Sequence, residues 1–344
     1  MQNKSFFKLT NNKYQSFFKH WVLECLTIAL LHYIIGEAIY IVSRAITSKI
    51  YGVYDPSNPS NPNFMILDSG FDNWLPFVKE FIIPYTTAYA YWVIGPFLVY
   101  GFMGRKRFYQ FIVCSITINI LSVIIFVLLP NGIAPNFRPI ITDEQAKSNF
   151  LYSMCQWTFT TDSFDQTFPS GHWCLCLLLM HAFRGSYFKK NIKCSQRITA
   201  WFLWIYGILV CLSTLFVKQH YIFDGFLSVA LCELGYVFFT KSAWGQNVAG
   251  TFEKYMYLFN CKLGLIKDKN IQPCWSKDKN KFKSKKFWLI YIVWFIWIGL
   301  TFFCFWETQW FIQEFLLNVS VFSIWLVGVY VYYFFHSLYV TSKK

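Results

Sequence analysis

The sequence predicts an all-α membrane protein, a polytopic helix bundle with a six-helix core and two C-terminal spans. Of its 344 residues, 56% are hydrophobic and 14% are charged, whereas soluble domains carry about 25% charged residues. The apolar residues lie in separate runs of about 20, the length that crosses roughly 30 Å of hydrocarbon as helix. A membrane β-barrel would need short alternating segments instead. The sequence therefore favours about eight transmembrane helices.

These apolar runs place the spans and divide the chain. We expect spans at about 20–45, 82–104, 108–130, 171–186, 199–218, 221–240, 287–306 and 316–338. The first run is too long for a signal-peptide core, so we expect it to stay as an anchor. The predicted organisation is a cytoplasmic N-terminal segment (1–19), a six-span core (20–240), a basic cytoplasmic loop (241–286) and two C-terminal spans with a short tail (287–344).

The formal charge of +14 predicts an orientation. If the N-terminus is cytoplasmic, all but six of the 31 Lys and Arg fall on the cytoplasmic side, as the positive-inside rule requires. Both termini are then cytoplasmic, and the loop 131–169 faces the extracellular or lumenal side. We interpret the basic clusters as attracted to the anionic cytoplasmic leaflet of the lipid bilayer, and we expect no nucleic acid partner.

The eleven cysteines do not predict a disulfide framework. Most of them lie inside apolar runs, where a thiol behaves as a small hydrophobic group. No Cys-x-x-Cys spacing occurs, so the sequence gives no indication of a cysteine metal site.

Two histidines lie at the ends of consecutive spans. His172 precedes the bulk of the span 171–186, and His220 follows the span 199–218. A helical hairpin returns both imidazoles to the same face of the membrane. Asp224 is four residues after His220, so if the span is already helical there, the two share a helix face and can form a hydrogen bond. That bond would fix one imidazole nitrogen as a donor and leave the other as a nucleophile or base.

Other polar residues predicted at this face suit a phosphate. Ser170 can cap a helix, Gly171 permits close backbone approach, and the N-terminus of that helix attracts anions. Arg138 adds a planar bidentate donor, and Lys218 adds a mobile positive charge. Two imidazoles beside such a cradle indicate covalent phosphoryl transfer, in which one histidine attacks phosphorus and the other protonates the leaving oxygen.

The motifs that contain these residues resemble the type-2 phosphatidic acid phosphatase superfamily. Its three-part signature is matched in order and spacing by Arg138-Pro139, by Pro169-Ser170-Gly171-His172, and by Ser213 with His220 and Asp224. The resemblance covers about residues 82–240. It implies a metal-independent phosphatase without a cofactor, with its site outside or lumenal and a membrane lipid phosphate or phospholipid as substrate.

The resemblance also implies a role for each matched residue. His220 would be the nucleophile that forms a phosphohistidine, Asp224 would orient it, and His172 would be the general acid. Arg138, Ser170 and the backbone of Gly171 would hold the phosphoryl oxygens.

Two positions depart from the signature. Asn131 stands where the family has a lysine, and Thr214 stands where it has an arginine. We expect Lys218, two residues before His220, to supply one of the missing positive charges. A weaker phosphate cradle is also compatible with a phosphodiester substrate. The superfamily includes enzymes resembling sphingomyelin and inositol phosphorylceramide synthases, so this substrate class stays open.

Three functions remain open from the sequence. The first is a lipid-phosphate phosphatase, which transfers the phosphoryl group to water. The second is a lipid headgroup phosphotransferase that uses the same histidines with a lipid hydroxyl as acceptor. The third is a non-enzymatic lipid-binding or transport protein with a degenerate site.

We expect structural or solvated roles, and no catalytic role, for several further ionisable residues. His32 and His181 have no second ligand at metal spacing, so we expect structural roles for them. Glu233 is interpreted as a buried hydrogen-bonding group without a matching basic residue on another helix. Asp162 and Asp165 are expected to be solvated at the surface of the loop 131–169.

Overall fold

The computed structural model describes residues 11–55, 63–134, 136–184, 186–187, 192 and 194–262. In these ranges the chain is a helix bundle with two very short strands. Its helices are α1 (Asn11–Tyr51), α2 (Ile82–Leu98), α3 (Arg105–Leu128), α4 (Asp143–Ser148), α5 (Phe150–Thr161), α6 (Gly171–Ala182), α7 (Cys194–Phe216), α8 (Ile222–Lys241) and α9 (Ala243–Lys262). The strands are β1 (Met65–Ile66) and β2 (Asn131–Gly132), and shorter helical turns lie at Phe71–Asn73, Lys79–Phe81 and Val99–Met103.

The predicted all-α membrane architecture is confirmed. Four helical segments of the described chain are long and apolar enough to cross a membrane: Lys79–Met103, Arg105–Leu128, Cys194–Phe216 and Ile222–Lys241. They agree to within a few residues with four of the predicted spans. The protein is therefore an integral membrane protein by the length and composition of its helices.

Two of the other predicted spans have different lengths in the structure. The span expected at 20–45 lies within α1, a single helix of 41 residues. The span expected at 171–186 is wrong in length, because α6 ends at Ala182 after 12 residues. The chain turns there, and the Arg184 side chain reaches Glu233 on α8. The spans predicted at 287–306 and 316–338 lie outside the described residues.

The prediction of a loop over 241–286 is wrong for its first part. Residues Ala243–Lys262 form α9, which packs against α3 and α8. Two buried side chains hold this helix, because Arg105 Nε lies 3.1 Å from Glu253 Oε1. Buried apolar residues of α9 join the main core. Their helical spacing is hard to see in the sequence because the segment 241–286 is rich in lysine. Residues 263–286 lie outside the described part of the chain.

Helix α3 is central to the bundle. It packs against α1, α6, α8 and α9, while α6 packs against α7 and α8. Small residues allow the helices to approach closely: a Cβ atom at Gly95 of α2 would lie 2.5 Å from the side chain of Leu179 on α6. The buried core between these helices includes Phe108, Ile112 and Leu203.

The segments between the helices converge over the N-terminal ends of α6 and α8. Strand β1 pairs in parallel with β2, with Met65 opposite Asn131, and Gly132 forms an isolated bridge with Asp165. The buried Asp72 accepts a hydrogen bond through Oδ1 from the Ile222 backbone N–H at 2.8 Å. Asp72, 150 positions earlier in the sequence, therefore holds the start of α8.

Candidate active site

The two histidines predicted to pair lie close together. The ring centroids of His172 and His220 are 5.9 Å apart, with an angle of 62° between the ring planes. His172 is in the first turn of α6, and His220 is in the tight turn between α7 and α8. The helical hairpin thus brings both imidazoles to one end of the bundle, as its sequence predicts.

The hydrogen bonds of His220 define its tautomer. Its Nδ1 lies 3.1 Å from Asp224 Oδ2 and 3.1 Å from the Thr167 carbonyl oxygen. Both of these partners are acceptors, so Nδ1 carries the proton and Nε2 presents its lone pair. Asp224 is fully buried, and Oδ2 also accepts a hydrogen bond from the Tyr221 backbone N–H at 2.9 Å.

Aromatic side chains of α2 fix the ring of His172. Tyr85 stacks on it with centroids 4.5 Å apart, and Trp92 contacts it at 4.8 Å. The Nε2 atom of His172 is buried and has no hydrogen-bond partner in the part of the chain that the structure describes. This nitrogen can therefore exchange a proton with a ligand beside it.

The start of α6 joins the two signature motifs that contain the histidines. Ser170 Oγ accepts a hydrogen bond from the Trp173 backbone N–H at 3.4 Å, which confirms the predicted cap. The Ser170 backbone N–H donates to the Asp224 carbonyl oxygen at 3.4 Å. Gly171 faces open space, because no atom lies within 4 Å of the position that a Cβ would take there.

Arg138 reaches the site through a second side chain. Its Nη2 donates to Gln219 Oε1 and, at 3.1 Å, to the Ser163 carbonyl oxygen. The guanidinium lies 4.2 Å from the ring centroid of Phe164. Burial lowers the pKa of this guanidinium from its ordinary value, and nearby Tyr85 opposes the change. Gln219 is next to His220 in the sequence, so Arg138 contacts the neighbour of His220 and not the histidine itself.

Lys218 does not occupy the position expected of it. Its backbone has a φ of 59°, and its Nζ donates to the Asp72 carbonyl oxygen at 2.7 Å. Burial lowers the pKa of its ammonium group, while the charge of Asp72 opposes this shift. Because its ammonium group is used to hold the loop around Asp72, the expectation that Lys218 replaces a missing phosphate-binding charge is not supported by its position.

Asn131 has a structural role where the family has a lysine. Its Oδ1 accepts hydrogen bonds from the backbone N–H groups of Thr167 at 2.8 Å and Phe168 at 3.0 Å. Its Nδ2 donates to the Leu129 carbonyl oxygen at 2.8 Å. Asn131 therefore holds the segment whose Thr167 carbonyl contacts His220.

Thr214 is similarly engaged where the family has an arginine. Its Oγ1 accepts a hydrogen bond from Trp173 Nε1 at 2.9 Å and donates to the Cys211 carbonyl oxygen at 2.8 Å. The indole packs against Gly225, where a Cβ atom would lie 2.7 Å from the ring. The Trp173 indole thus occupies space beside Thr214.

A cavity of about 360 Å³ opens beside both histidines, within the size range of small-molecule sites. Its lining combines the histidines with side chains of α1, α2 and α3. His32 of α1 contributes to the wall, and its Nε2 lies 2.7 Å from Ser115 Oγ on α3. None of the lining residues in the described part of the chain is a lysine or an arginine.

Two acidic residues line this cavity, contrary to the expectation that they are solvated on the surface. Asp162 Oδ2 accepts a hydrogen bond from the Tyr85 hydroxyl at 2.6 Å. Asp165 is buried, and its Oδ1 lies 3.3 Å from Arg44 Nε on α1. The sequence missed this because the segment between α5 and α6 folds back against α1 and α2.

Sequence reasoning also missed several residues that build the site. Motif spacing gives no signal for Tyr85, Trp92 and Thr167, which contact the histidines. It also gives none for Asp72, which holds the start of α8. Gln219 had one available signal, its position directly before His220 in the third motif. Its contact with Arg138, 81 positions earlier, is visible only in three dimensions.

The fold and the site together define an integral membrane protein with paired imidazoles at one end of a helix bundle. The family model of the PAP2 superfamily matches residues 90–247. The matched region is similar to the superfamily, in agreement with the resemblance predicted from the three motifs. It supports phosphoesterase chemistry on a lipid phosphate. Helix α1 lies outside the matched residues.

Comparisons with curated proteins and with solved structures give no match to this chain.

Proposed function

We propose that this protein is a lipid-phosphate phosphatase that cleaves a phosphate ester of a membrane lipid through a phosphohistidine on His220. The observation that carries the proposal is the pair of imidazoles, 5.9 Å apart and lining one cavity, in which Nε2 of His220 is left as the free nitrogen. A phosphoryl group between these rings would contact a nucleophile on one side and a proton donor on the other.

The proposed reaction has two steps. In the first, the lone pair of His220 Nε2 attacks phosphorus and the bond from phosphorus to the lipid oxygen breaks. His172, which enters this step as an imidazolium ion held by the negative charge of the bound phosphate, gives its Nε2 proton to that oxygen. In the second, the now neutral His172 takes a proton from water as the water oxygen attacks phosphorus. The N–P bond then breaks, phosphate is released, and both histidines return to their starting states.

The surrounding residues support this assignment. Asp224 holds the Nδ1–H of His220 and would stabilise the imidazolium that develops as Nε2 forms its bond. The Gly171 backbone N–H and the Ser170 hydroxyl, at the start of α6, would bind phosphoryl oxygens at the positive end of the helix dipole. Arg138 would act through Gln219, which it contacts directly.

The proposal also includes an orientation. From the distribution of basic residues we infer that the histidine end of the bundle faces the extracellular or lumenal side, with both termini in the cytoplasm. Cys194 begins α7 at the other end of the hairpin and is exposed. A membrane-impermeant maleimide should therefore label Cys194 only after permeabilisation; labelling in intact cells would contradict the orientation.

The experiment that tests the function is a substrate panel. Purified protein is incubated with lipid phosphates and phospholipids, and the release of phosphate and lipid alcohol is measured. We expect His220→Ala to lose at least about 10⁴-fold in activity, because removal of a nucleophile leaves only the binding contribution. His181→Gln, which changes a histidine at the other end of α6, is the matched control and should retain activity.

Full activity in a folded His220→Ala protein would contradict both enzymatic functions and favour a non-enzymatic lipid-binding or transport protein. Folding is checked by size-exclusion chromatography and thermal unfolding in detergent, so that a loss of activity is not confused with a loss of structure.

A lipid headgroup phosphotransferase is the second candidate. The observation that favours it is the polar wall opposite the histidines, where His32, Ser115 and Asn119 line the cavity. These side chains can bind the hydroxyl group of an acceptor lipid. A phosphatase, whose acceptor is water, would not require them. If this candidate is right, a new phospholipid forms only when an acceptor lipid is added, whereas the phosphatase releases free phosphate without one.

A further inference from the structure

Two buried amide donors in the cavity lining, Gln166 Nε2 and Gln219 Nε2, have no partner among the described residues, and Gln219 is the one beside His220. Gln219 is 3% exposed and lines the cavity beside His220. Its Oε1 accepts a hydrogen bond from Arg138, but its Nε2 has no hydrogen-bond partner among the described residues. Buried donors are nearly always paired in folded proteins, so an unpaired one beside a cavity points to a ligand.

The orientation of this amide is fixed by its neighbours. Arginine can only donate hydrogen bonds, so the atom of Gln219 that faces Arg138 must be the oxygen, and Nε2 must be the donor on the other side. The backbone is held as well, because the N–H groups of Gln219 and His220 both donate to the Thr214 carbonyl oxygen, at 2.9 and 3.2 Å. The donor is therefore positioned before any substrate binds.

The cations near the site are used elsewhere. Lys218 donates to the Asp72 carbonyl, and Arg138 donates to Gln219 and to backbone carbonyls. The two positions at which the family has cations are Asn131 and Thr214, which are engaged in the hydrogen bonds described above.

The charge of the lining distinguishes between substrates. A phosphomonoester carries a charge of about −1.5 to −2 at neutral pH, because its second pKa is about 6. A phosphodiester carries a single negative charge. The lining offers neutral donors and two carboxylates, of which Asp165 is paired with Arg44. The carboxylate of Asp162 repels a ligand with two negative charges more than a ligand with one.

We propose that Gln219 is a substrate-binding residue that donates through Nε2 to a non-bridging oxygen of the phosphoryl group, and that this neutral cradle selects a phosphodiester lipid over a phosphomonoester. The inference rests on the proposed function of His220 and His172, and it names the substrate class of that site. It also gives Arg138 a positioning role, exerted through the amide of Gln219.

With a phosphodiester the reaction remains balanced. His220 Nε2 attacks phosphorus, the bond to the diglyceride oxygen breaks, and His172 protonates that oxygen. The phosphohistidine then carries the esterified headgroup. Attack on phosphorus by the oxygen of water or of a lipid hydroxyl, with loss of its proton to His172, breaks the N–P bond and releases the headgroup phosphate or a new phospholipid.

The test compares two lipids that differ by one methyl group on phosphate. Dioleoyl phosphatidylmethanol is a diester and dioleoyl phosphatidic acid is a monoester, and both release the same diglyceride, so one assay gives kcat/KM for each. Phosphatidylglycerol, phosphatidylcholine and phosphatidylinositol extend the set of diesters. The full-length protein in mixed micelles should cleave at least one diester faster than phosphatidic acid at pH 7.5.

Variants of Gln219 then change the preference. We expect Gln219→Leu to lower kcat/KM for the diester by at least about tenfold, the effect of one lost hydrogen bond to a charged group. Gln219→Lys should shift the ratio of diester to monoester activity towards the monoester by at least about tenfold, because it supplies the missing charge. Gln156→Leu on α5 is the matched control, since its amide contacts Asp143 and does not line the cavity.

A second measurement needs no variant. The wild-type ratio of diester to monoester activity should rise as pH rises through about 6 to 7, where phosphatidic acid gains its second charge. Effects of pH on the histidines cancel in this ratio, because both substrates use the same residues.

Three outcomes would overturn the inference. They are a wild-type preference for phosphatidic acid over every diester, a ratio that does not change with pH, and a folded Gln219→Leu protein whose diester activity is within twofold of the wild type. If any of these occurs while His220→Ala is inactive, the substrate class is wrong but the proposed function stands. Activity in His220→Ala would instead contradict the proposed function itself.

Discussion

Two clusters along the paired helices α6 and α8 contain the same types of residue. The first contains His220 and Asp224, with Arg138 nearby, at the start of α8. The second contains His181 and Glu233, with Arg184, farther along the two helices. In the second cluster Arg184 Nη1 donates to both oxygens of Glu233, at 2.7 and 2.8 Å, and His181 Nε2 lies 3.4 Å from the same carboxylate.

The clusters differ in what remains available for a ligand. The first adjoins a cavity of about 360 Å³, and His172 and Gln219 each present a buried nitrogen to which no described residue bonds. Near the second, Tyr236 stacks on His181 with centroids 5.1 Å apart and lines a cavity of about 10 Å³, which is too small for more than a water molecule. The comparison shows that open space, more than residue types, identifies the candidate site.

Among the substitutions that test this comparison, we expect the largest loss of activity at His172. We predict that His172→Gln lowers kcat/KM for a lipid substrate by about 10²–10⁴-fold, the usual contribution of a general acid. The loss should be much smaller for p-nitrophenyl phosphate or its phosphodiester analogue, because p-nitrophenolate leaves without a proton. Steady-state kinetics with both kinds of leaving group measure this difference.

The leaving-group comparison separates chemistry from packing. Loss of the contacts of His172 with Tyr85 and Trp92 would lower activity towards both substrates equally. Equal losses in a folded protein would therefore contradict the role of His172 as the general acid.

Matched changes of the two carboxylates should give opposite results. We predict that Asp224→Asn lowers kcat by about 10²–10⁴-fold, because the amide no longer stabilises a charged His220. Glu233→Gln should leave kcat/KM within about threefold of the wild type but lower the free energy of unfolding by about 1–3 kcal/mol. This value is below that for fully buried pairs, since the Arg184 side chain is 27% exposed.

Thermal unfolding and steady-state kinetics on both variants measure this contrast. If Glu233→Gln abolished turnover in a folded protein, the second cluster would have a role in the reaction, and the distinction between the two clusters would fail.

Local rules in the sequence predicted much of the site. The four-residue spacing of His220 and Asp224 gave their hydrogen bond, and the capping preference of Ser170 gave the start of α6. The lengths of the apolar runs gave four of the membrane-spanning segments. These features depend on residues close together in the chain, although His220 lies in the turn before α8 and not on the helix itself.

The rest depends on contacts between distant segments. Lys218 was expected at the phosphate, but Asp72, 146 positions away in sequence, takes its ammonium group. The direction of the Gln219 donor is defined only by the contact of its amide oxygen with Arg138. The residues of α1 that line the cavity lie outside the region matched by the family model. Glu233 was expected to lack a basic partner, yet Arg184 follows the turn at the end of α6 and reaches it.

The central claim is that the first cluster transfers a phosphoryl group through His220, and trapping the intermediate tests it most directly. Wild-type protein is mixed with lipid substrate, quenched in alkali within milliseconds, digested and examined by mass spectrometry. We predict an acid-labile, alkali-stable phosphoryl group on His220, carrying the headgroup if the substrate is a diester. The His172→Gln protein should form it more slowly. A rapidly turning-over enzyme with no modified His220, or with the group on another residue, would contradict this mechanism.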